Sequence, residues 1–298
     1  MSTDRRDPKR REGSRPMTAP RGGPPAKRPP GRSRRGPVLL VAGLVVVVAV
    51  ALVLGLALGA SGHHSSTQVS AQETATVVAQ MTSLPPSLFD QVGRGTAQSL
   101  PKPLTGQQPL MAEGKPEVLY IGAEYCPYCA TERWAMVAAL SRFGTFSGLS
   151  LTHSSTADVY PGTPTFTFHG SSFTSPYLSF VPVETTTNQP NGHGGYKALD
   201  TPTPAQQALW QQLANGGIPF IDIAGRYLIN GVTYDPGVLQ GMTPADIAAN
   251  IADPTSDVSK GAIGAANTLV AAFCKLTGQQ PSTVCTTSTV RALEAAMG

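Results

Sequence analysis

Four cysteines carry the most pointed chemistry in this 298-residue sequence. Two of them form the motif Cys126-Pro127-Tyr128-Cys129. Thiols three residues apart can close a disulfide, exchange with an external disulfide, or supply half of a metal site. Pro127 suits the first position of a helix, which puts Cys126 at the N-cap. Free N–H groups and the positive end of the helix dipole then face its sulfur. A thiolate there is stabilised, and its pKa falls below the free-cysteine value of about 8.5. Cys129 lies one turn deeper on the same face, where its sulfur can attack a mixed disulfide on Cys126. The pattern divides the labour between an attacker, Cys126, and a resolver, Cys129.

Metal chemistry is the competing use. A zinc site needs two more ligands, usually a second close pair. Cys274 and Cys285 have ten residues between them and fall in an expected helical hairpin, a poor second half. A c-type haem motif needs His directly after the second Cys, and Ala130 is there. Copper(I) transfer stays open, since thiolates are soft ligands and His153, His169 and His193 are available. No cofactor and no resident metal is expected for the exchange reading.

The surrounding pattern is that of strands and helices that would hold such a motif. Residues 117–122, EVLYIG, read as a short buried strand ending in Gly. Residues 130–143 read as a helix stopped by Gly144, with Met136, Leu140 and Phe143 on one stripe. Residues 149–153 alternate like a second strand, and 165–168 with 177–181 read as an inserted or additional pair. Residues 188–196 read as a polar Gly-rich loop. Thr203-Pro204-Ala205-Gln206 opens a helix with its own cap, and that helix stops at Gly216-Gly217. A strand led by Pro219 follows, with 227–229 as its hairpin partner. Helices are expected at 243–251, 257–276 and 290–297. Strands separated by helices argue an α/β layered fold.

The rest of the chain divides by composition. Residues 1–37 hold twelve Lys or Arg against three acids, a net +9, while the whole chain is +4 and residues 38–298 are therefore −5. The basic balance belongs to a Pro- and Gly-rich tail too poor in apolar residues to fold, so nucleic-acid binding by the folded part is not expected. Residues 38–60 are uncharged and almost wholly Val, Leu, Ala and Gly. As a helix they would be roughly 34 Å long, enough to span a bilayer core of about 30 Å. The run is longer than a signal-peptide core, which favours an uncleaved anchor. Arg32, Arg34 and Arg35 precede it, so the N-terminus is expected in the cytoplasm and the remainder outside. All four cysteines follow this segment, as disulfide chemistry in an exported region requires. Residues 61–110 are expected to be an extracytoplasmic linker, in which Val77, Val78, Met81, Leu84, Leu88 and Phe89 could form a short helix or pack on the domain, and 111–298 the folded domain.

The stretch EVLYIGAEYCPYC resembles the active-site strand and helix start of thioredoxin-fold proteins. Ile218-Pro219 before a strand resembles that fold's cis-proline, which faces the dithiol. More narrowly, YIGAEYCPYCATERWAMVAALSRFG, SSTADVYPGTPTFTF, SPYLSFVPVE, IPFIDI and the late Cys274/Cys285 pair resemble DUF929, a family of often membrane-anchored, thioredoxin-like proteins. The likeness extends over roughly residues 88 to 297. It implies a thioredoxin-like fold with an inserted segment and a C-terminal helical extension, preceded by one transmembrane helix. It implies a site of Cys126, Cys129 and Pro219. Where thioredoxin carries a buried Asp, Tyr120 stands here; Glu132, in the first turn after Cys129, is the candidate for the proton role, against a surface Glu that merely favours the helix dipole. Cys274 and Cys285 are expected to form a structural disulfide, with a second redox pair as the sharper alternative. Tyr125 and Tyr128 flank the dithiol as candidates for a peptide-binding surface. The expected activity is thiol–disulfide exchange on exported protein thiols or disulfides, with a membrane redox partner. The alternatives are a non-catalytic thioredoxin-like binding module and a copper metallochaperone using the same cysteines.

Overall fold

The computed structural model describes residues 70–298. The basic tail, the apolar run 38–60 and the start of the expected linker lie outside them. Among the described residues no helix is long and apolar enough to cross a membrane.

Two short helices come first, α1 (Ala71–Thr82) and α2 (Pro86–Val92). Short strands β1 (Lys102–Pro103) and β2 (Met111–Ala112) lead to the buried strand β3 (Lys115–Gly122) and then to α3 (Pro127–Leu140). Next come β4 (Thr145–Ser147), β5 (Ser150–His153), β6 (Pro164–Thr167), β7 (Ser172–Thr174) and β8 (Ser179–Glu184). A hairpin of β9 (Thr186–Pro190) and β10 (Tyr196–Ala198) precedes α4 (Pro204–Ala214). Strands β11 (Phe220–Ile223) and β12 (Tyr227–Asn230) follow, then a 3-10 turn at Pro236–Leu239. The chain ends in α5 (Pro244–Ile251), α6 (Asp257–Leu276), α7 (Ser282–Cys285) and α8 (Ser288–Ala296). The fold is mixed α/β.

The main sheet runs β1-β12-β11-β3, with β8 on β3 and β2 pairing the start of β3. β3 is antiparallel to β11 and parallel to β8. Its side chains alternate between two apolar clusters, as strand geometry demands. Val118 and Tyr120 join the larger core with α3 and α6, whereas Leu119 and Ile121 join Val183, Phe220 and the α4 residues Trp210 and Leu213. Both faces of the central strand are thus covered, which is why it reads as a continuous apolar run.

The capping residues act as their types require. Thr203 and Thr243 each accept from the N–H three residues on and complete a capping box, with Gln206 and Asp246 respectively. α6 is buried along most of its length, so it is a core helix rather than an amphipathic surface one. Gly264 in that helix lies against the Arg94 carbonyl, where a Cβ would collide with backbone.

Three elements differ from the sequence-based expectation. Residues 177–181 are not part of an inserted pair: they lead into β8, which joins the main sheet, while β6 pairs instead with β5. Residues 188–196 fold into the β9–β10 hairpin rather than an irregular loop. The expected linker 61–110 is folded from residue 71 onward. Val77, Met81, Leu88 and Phe89 are buried in the main core. Asn267 on α6 donates to the Phe89 and Gly93 carbonyls at 2.8 and 2.7 Å, which satisfies the C-terminal carbonyls of α2. Arg142 stacks on the Phe89 ring, 4.2 Å from its centroid.

Phe89→Ala should therefore lower unfolding stability by about 3–5 kcal/mol. Urea titration of the variant checks this; an unchanged midpoint would mean that α2 is a passive tether after all.

Candidate functional site

β3 delivers the chain to the loop Ala123–Tyr125, and Cys126 sits at the N-cap of α3 with an extended backbone (φ −74°, ψ 121°). Its sulfur accepts the Cys129 N–H at 3.2 Å. Pro127 occupies the first turn, where its missing N–H removes no helical hydrogen bond. Both thiols are free. Cys126 is 4% exposed and Cys129 is fully buried.

The two sulfurs are driven apart in acidity. The Cys126 thiol is lowered from its ordinary value, first by the hydrogen bond from the Cys129 thiol, against the cost of burial, then by the Cys129 N–H and by the Arg133 charge. The Cys129 thiol is pushed well up, chiefly by burial and then by its bond to Cys126; Arg133 and a backbone bond from Ala123 work in the opposite direction. A more acidic sulfur at the helix N-cap and a less acidic, fully buried one suit a nucleophile and a resolving thiol.

Beneath the motif lies a buried ion pair that sequence reasoning missed. Arg133, one turn beyond Cys129 on α3, donates from Nε to Glu184 Oε1 at 2.8 Å and from Nη2 to Glu184 Oε2 at 2.7 Å. Nη2 also donates to the Ala123 carbonyl at 2.7 Å, the same carbonyl that accepts the Cys126 N–H. Both side chains are wholly buried. Glu184, the last residue of β8, stands opposite Gly122 in the parallel register. Its backbone N–H donates to Asp200, whose other carboxylate oxygen pairs with His169 nearer the surface. The Tyr120 ring lies under the guanidinium, 5.8 Å from its carbon. Its hydroxyl fills the space that a side chain on Gly122 would need. Among the described residues, Tyr120 Oη and Arg133 Nη1 have no hydrogen-bond partner. One sequence signal was available: Arg133 is four residues after Cys129, hence on its face of the helix.

Glu132 is not on the surface. It is fully buried, and its carboxylate accepts the Thr233 N–H at 2.9 Å and the Thr233 hydroxyl at 2.8 Å. Burial pushes its pKa up to about 7, although the two Thr233 bonds pull the other way. It ties α3 to the loop after β12, and the neighbouring Tyr234 hydroxyl donates to the Thr131 carbonyl. Pro219 follows a cis peptide bond and directly precedes β11, whose Phe220 pairs with Ile121. That register brings Pro219 to the level of Gly122, at the root of the Cys126 loop.

Tyrosines ring the thiols. Tyr125 stacks on Tyr196 at 4.3 Å, and Tyr196 donates to Ser155, whose N–H bonds the Tyr125 carbonyl. Tyr128, 39% exposed, meets Tyr160 edge-on. The second cysteine pair is bonded: Cys274 and Cys285 are 1.98 Å apart at sulfur, both fully buried, and join α6 to α7. His153 is at the end of β5 with Nδ1 on the Ser154 carbonyl, His169 pairs with Asp200, and His193 is exposed in the β9–β10 turn. Among the described residues no three His, Cys, Asp or Glu side chains converge as a metal site would require.

Site and fold define a mixed α/β domain carrying a free, asymmetric dithiol at a helix start. The family described as "Domain of unknown function (DUF929)" matches residues 104–275, and the chain belongs to that family. No curated protein and no solved structure matches it.

Glu132 gives a test by pH. Its folded pKa of about 7 lies above the ordinary 4.5, so between these values the folded chain holds a proton that the unfolded chain has lost. Stability must then fall as pH rises through this window, by up to about 3 kcal/mol. Glu132→Gln should flatten that slope in denaturant titrations run from pH 4.5 to 7. If the variant also leaves the rate of dithiol oxidation and its pH profile unchanged, Glu132 has no proton role at the thiols.

Proposed function

We propose that this protein is a membrane-anchored, extracytoplasmic thiol–disulfide oxidoreductase of thioredoxin-like fold, acting on exported protein thiols or disulfides through Cys126 and Cys129. The observation that carries the reading is the acidity split between a Cys126 sulfur at the helix N-cap and a Cys129 sulfur buried one turn below it. The strand arrangement supports it as well. The order β12-β11-β3-β8, with the parallel pair β3/β8 joined through α3 and an antiparallel hairpin led by Pro219, is what the thioredoxin resemblance implies. The anchor is residues 38–60, with the N-terminus cytoplasmic, on the argument of length and flanking charge.

Exchange conserves disulfides. In one direction the Cys126 thiolate attacks a substrate disulfide, forming a Cys126–substrate bond as the substrate S–S bond breaks, and the leaving sulfur takes a proton. Cys129 then loses its proton and attacks Cys126. The second substrate thiol is released, the Cys126–Cys129 disulfide closes, and two electrons have passed to the substrate. In the other direction a substrate dithiol supplies the electrons and the motif leaves reduced. A membrane dithiol or disulfide partner resets the motif in either case. The tyrosines around Cys126, with Tyr128 and Val159 exposed, offer flat amphipathic contacts to an extended polypeptide. Cys274–Cys285 serves as a structural clip, since both residues are inaccessible to an external thiol.

The full chain in detergent should reduce or oxidise a model protein disulfide, and Cys126→Ser should abolish the activity. Cys129→Ser should instead accumulate a mixed disulfide visible on a non-reducing gel. An unreactive Cys126 with an ordinary thiol pKa would leave a binding module. Copper(I) retained by the reduced chain, together with loss of exchange, would favour metal transfer.

Replacing Cys274 and Cys285 together by Ala should cost about 2–3 kcal/mol of stability, from loss of loop closure, and leave the exchange rate intact. A folded double variant with impaired exchange would make that pair a second redox centre.

A further inference from the structure

The dithiol sits on a charge that cannot be exchanged with solvent. Arg133 and Glu184 are both fully buried, and their fork is bidentate. The guanidinium lies within Coulombic reach of both sulfurs. It is one helical turn from Cys129, and its Nη2 holds the Ala123 carbonyl to which the Cys126 N–H is bonded. The groups facing it are Glu184 from β8, Tyr120 from β3 and the two thiols, while Asp200 bonds the back of Glu184 and carries His169 outward. The carboxylate that would otherwise serve a buried thiol is replaced by Tyr120, whose hydroxyl is unpartnered.

We propose that the Arg133–Glu184 pair sets the redox equilibrium of the Cys126/Cys129 motif, with Arg133 the positioning residue that favours the reduced, ionised dithiol and Glu184 the counter-charge that limits it. The proposal rests on the oxidoreductase reading given above. The physical argument is one of balance. A thiolate formed above Arg133 gains from a positive charge in a poorly screened interior. Glu184 holds the same guanidinium at 2.7 Å and cancels part of its field. Removing either partner must therefore move the thiols in opposite directions. A purely architectural pair would not do this, because losing either member would loosen the same contacts. Burial of both partners accounts for the cationic side being Arg: a guanidinium stays charged where an amine would neutralise.

The test is a titration of Cys126 by pH-dependent alkylation, with the dithiol–disulfide equilibrium measured against glutathione, on the full chain in detergent. Below the wild-type pKa, Arg133→Met should lower the Cys126 thiolate fraction about tenfold, and Glu184→Gln should raise it by a similar factor. The equilibrium should move towards the disulfide in the first variant and towards the dithiol in the second, by up to about tenfold, or about 30 mV. Arg133→Lys supplies an amine that burial neutralises, so its thiolate fraction should fall below wild type, towards that of Arg133→Met. Should the single variants fail to fold, Arg133→Met combined with Glu184→Met replaces the pair by apolar side chains, a change that buried pairs commonly tolerate. The double variant should titrate with a thiolate fraction below wild type. Thiol titrations unchanged in every folded variant, or shifted in the same direction by Arg133→Met and Glu184→Gln, would overturn the proposal. Failure of the wild-type cysteines to cycle with glutathione at all would instead sink the oxidoreductase reading.

Discussion

A buried, bidentate ion pair between α3 and β8 is the constraint on which the site depends. Moving two charges out of water costs several kcal/mol per ion, and their attraction repays it only with excellent geometry and satisfied donors. Arg133 and Glu184 come close to that condition. Glu184 receives two guanidinium N–H groups at 2.7 and 2.8 Å, and Arg133 has the Ala123 carbonyl as a further acceptor. The pair therefore fixes three things together: the axial rotation of α3, the position of β8 beside β3, and the path of the loop that presents Cys126. An apolar contact in the same place could hold the helix to the sheet, but it could not fix the loop carbonyl.

The same constraint explains which parts of the structure were legible in the sequence. Local signals held wherever the chain's own chemistry decides the outcome. The capping boxes at Thr203 and Thr243, the Pro-led strand β11 and the span of α6 all follow from residues within a few positions of each other. The polar face of α3 was not legible. The stripe of Met136, Leu140 and Phe143 suggested an amphipathic helix, yet all but Tyr128 of its fourteen residues are buried. Adjacent residues Glu132 and Arg133 then find separate partners, Thr233 and Glu184, more than fifty positions away. Nothing in the local pattern names those partners. Residues 177–181 were legible as a strand, but the pairing of β8 with β3 was hidden for a related reason. Among the described residues β8 pairs only with β3, and as an edge strand it tolerates Pro182, which cannot donate to a ladder. Parallel pairing across a helix leaves no turn signal to read. α1 and α2 were legible only as a possible short helix or packing segment, because their burial rests on distant partners: α1 packs against α5 and α2 against α6, each more than 160 residues later in the chain.

The two buried acids near the site show how burial is resolved differently by different neighbours. Glu184 meets a guanidinium and is held in a bidentate pair in the core. Glu132 meets only a hydroxyl and an N–H, and its pKa climbs to about 7. One carboxylate is therefore matched by a fixed cation, and the other, with none, has its pKa raised by burial. Arg133 appears among the influences on both thiols, whereas Glu132 does not rank among the main ones. On electrostatic grounds the dithiol answers to Arg133 before it answers to Glu132.

That ordering bears on how a deep thiol can act as a resolver in the proposed exchange. Cys129 must lose its proton while fully buried, and burial alone makes this costly. No carboxylate stands at Tyr120 to accept the proton, and burial raises the Tyr120 hydroxyl well above its ordinary range. What remains is the positive field of Arg133, which acts on Cys126 in the reduced motif. Once Cys126 is held in a mixed disulfide, it no longer carries charge, and the same field falls on Cys129 alone. One fixed cation can thus serve the two sulfurs in turn, first the attacker and then the resolver. Glu184 keeps that cation from holding either thiolate so tightly that it ceases to be a nucleophile, since nucleophilicity falls as the pKa falls.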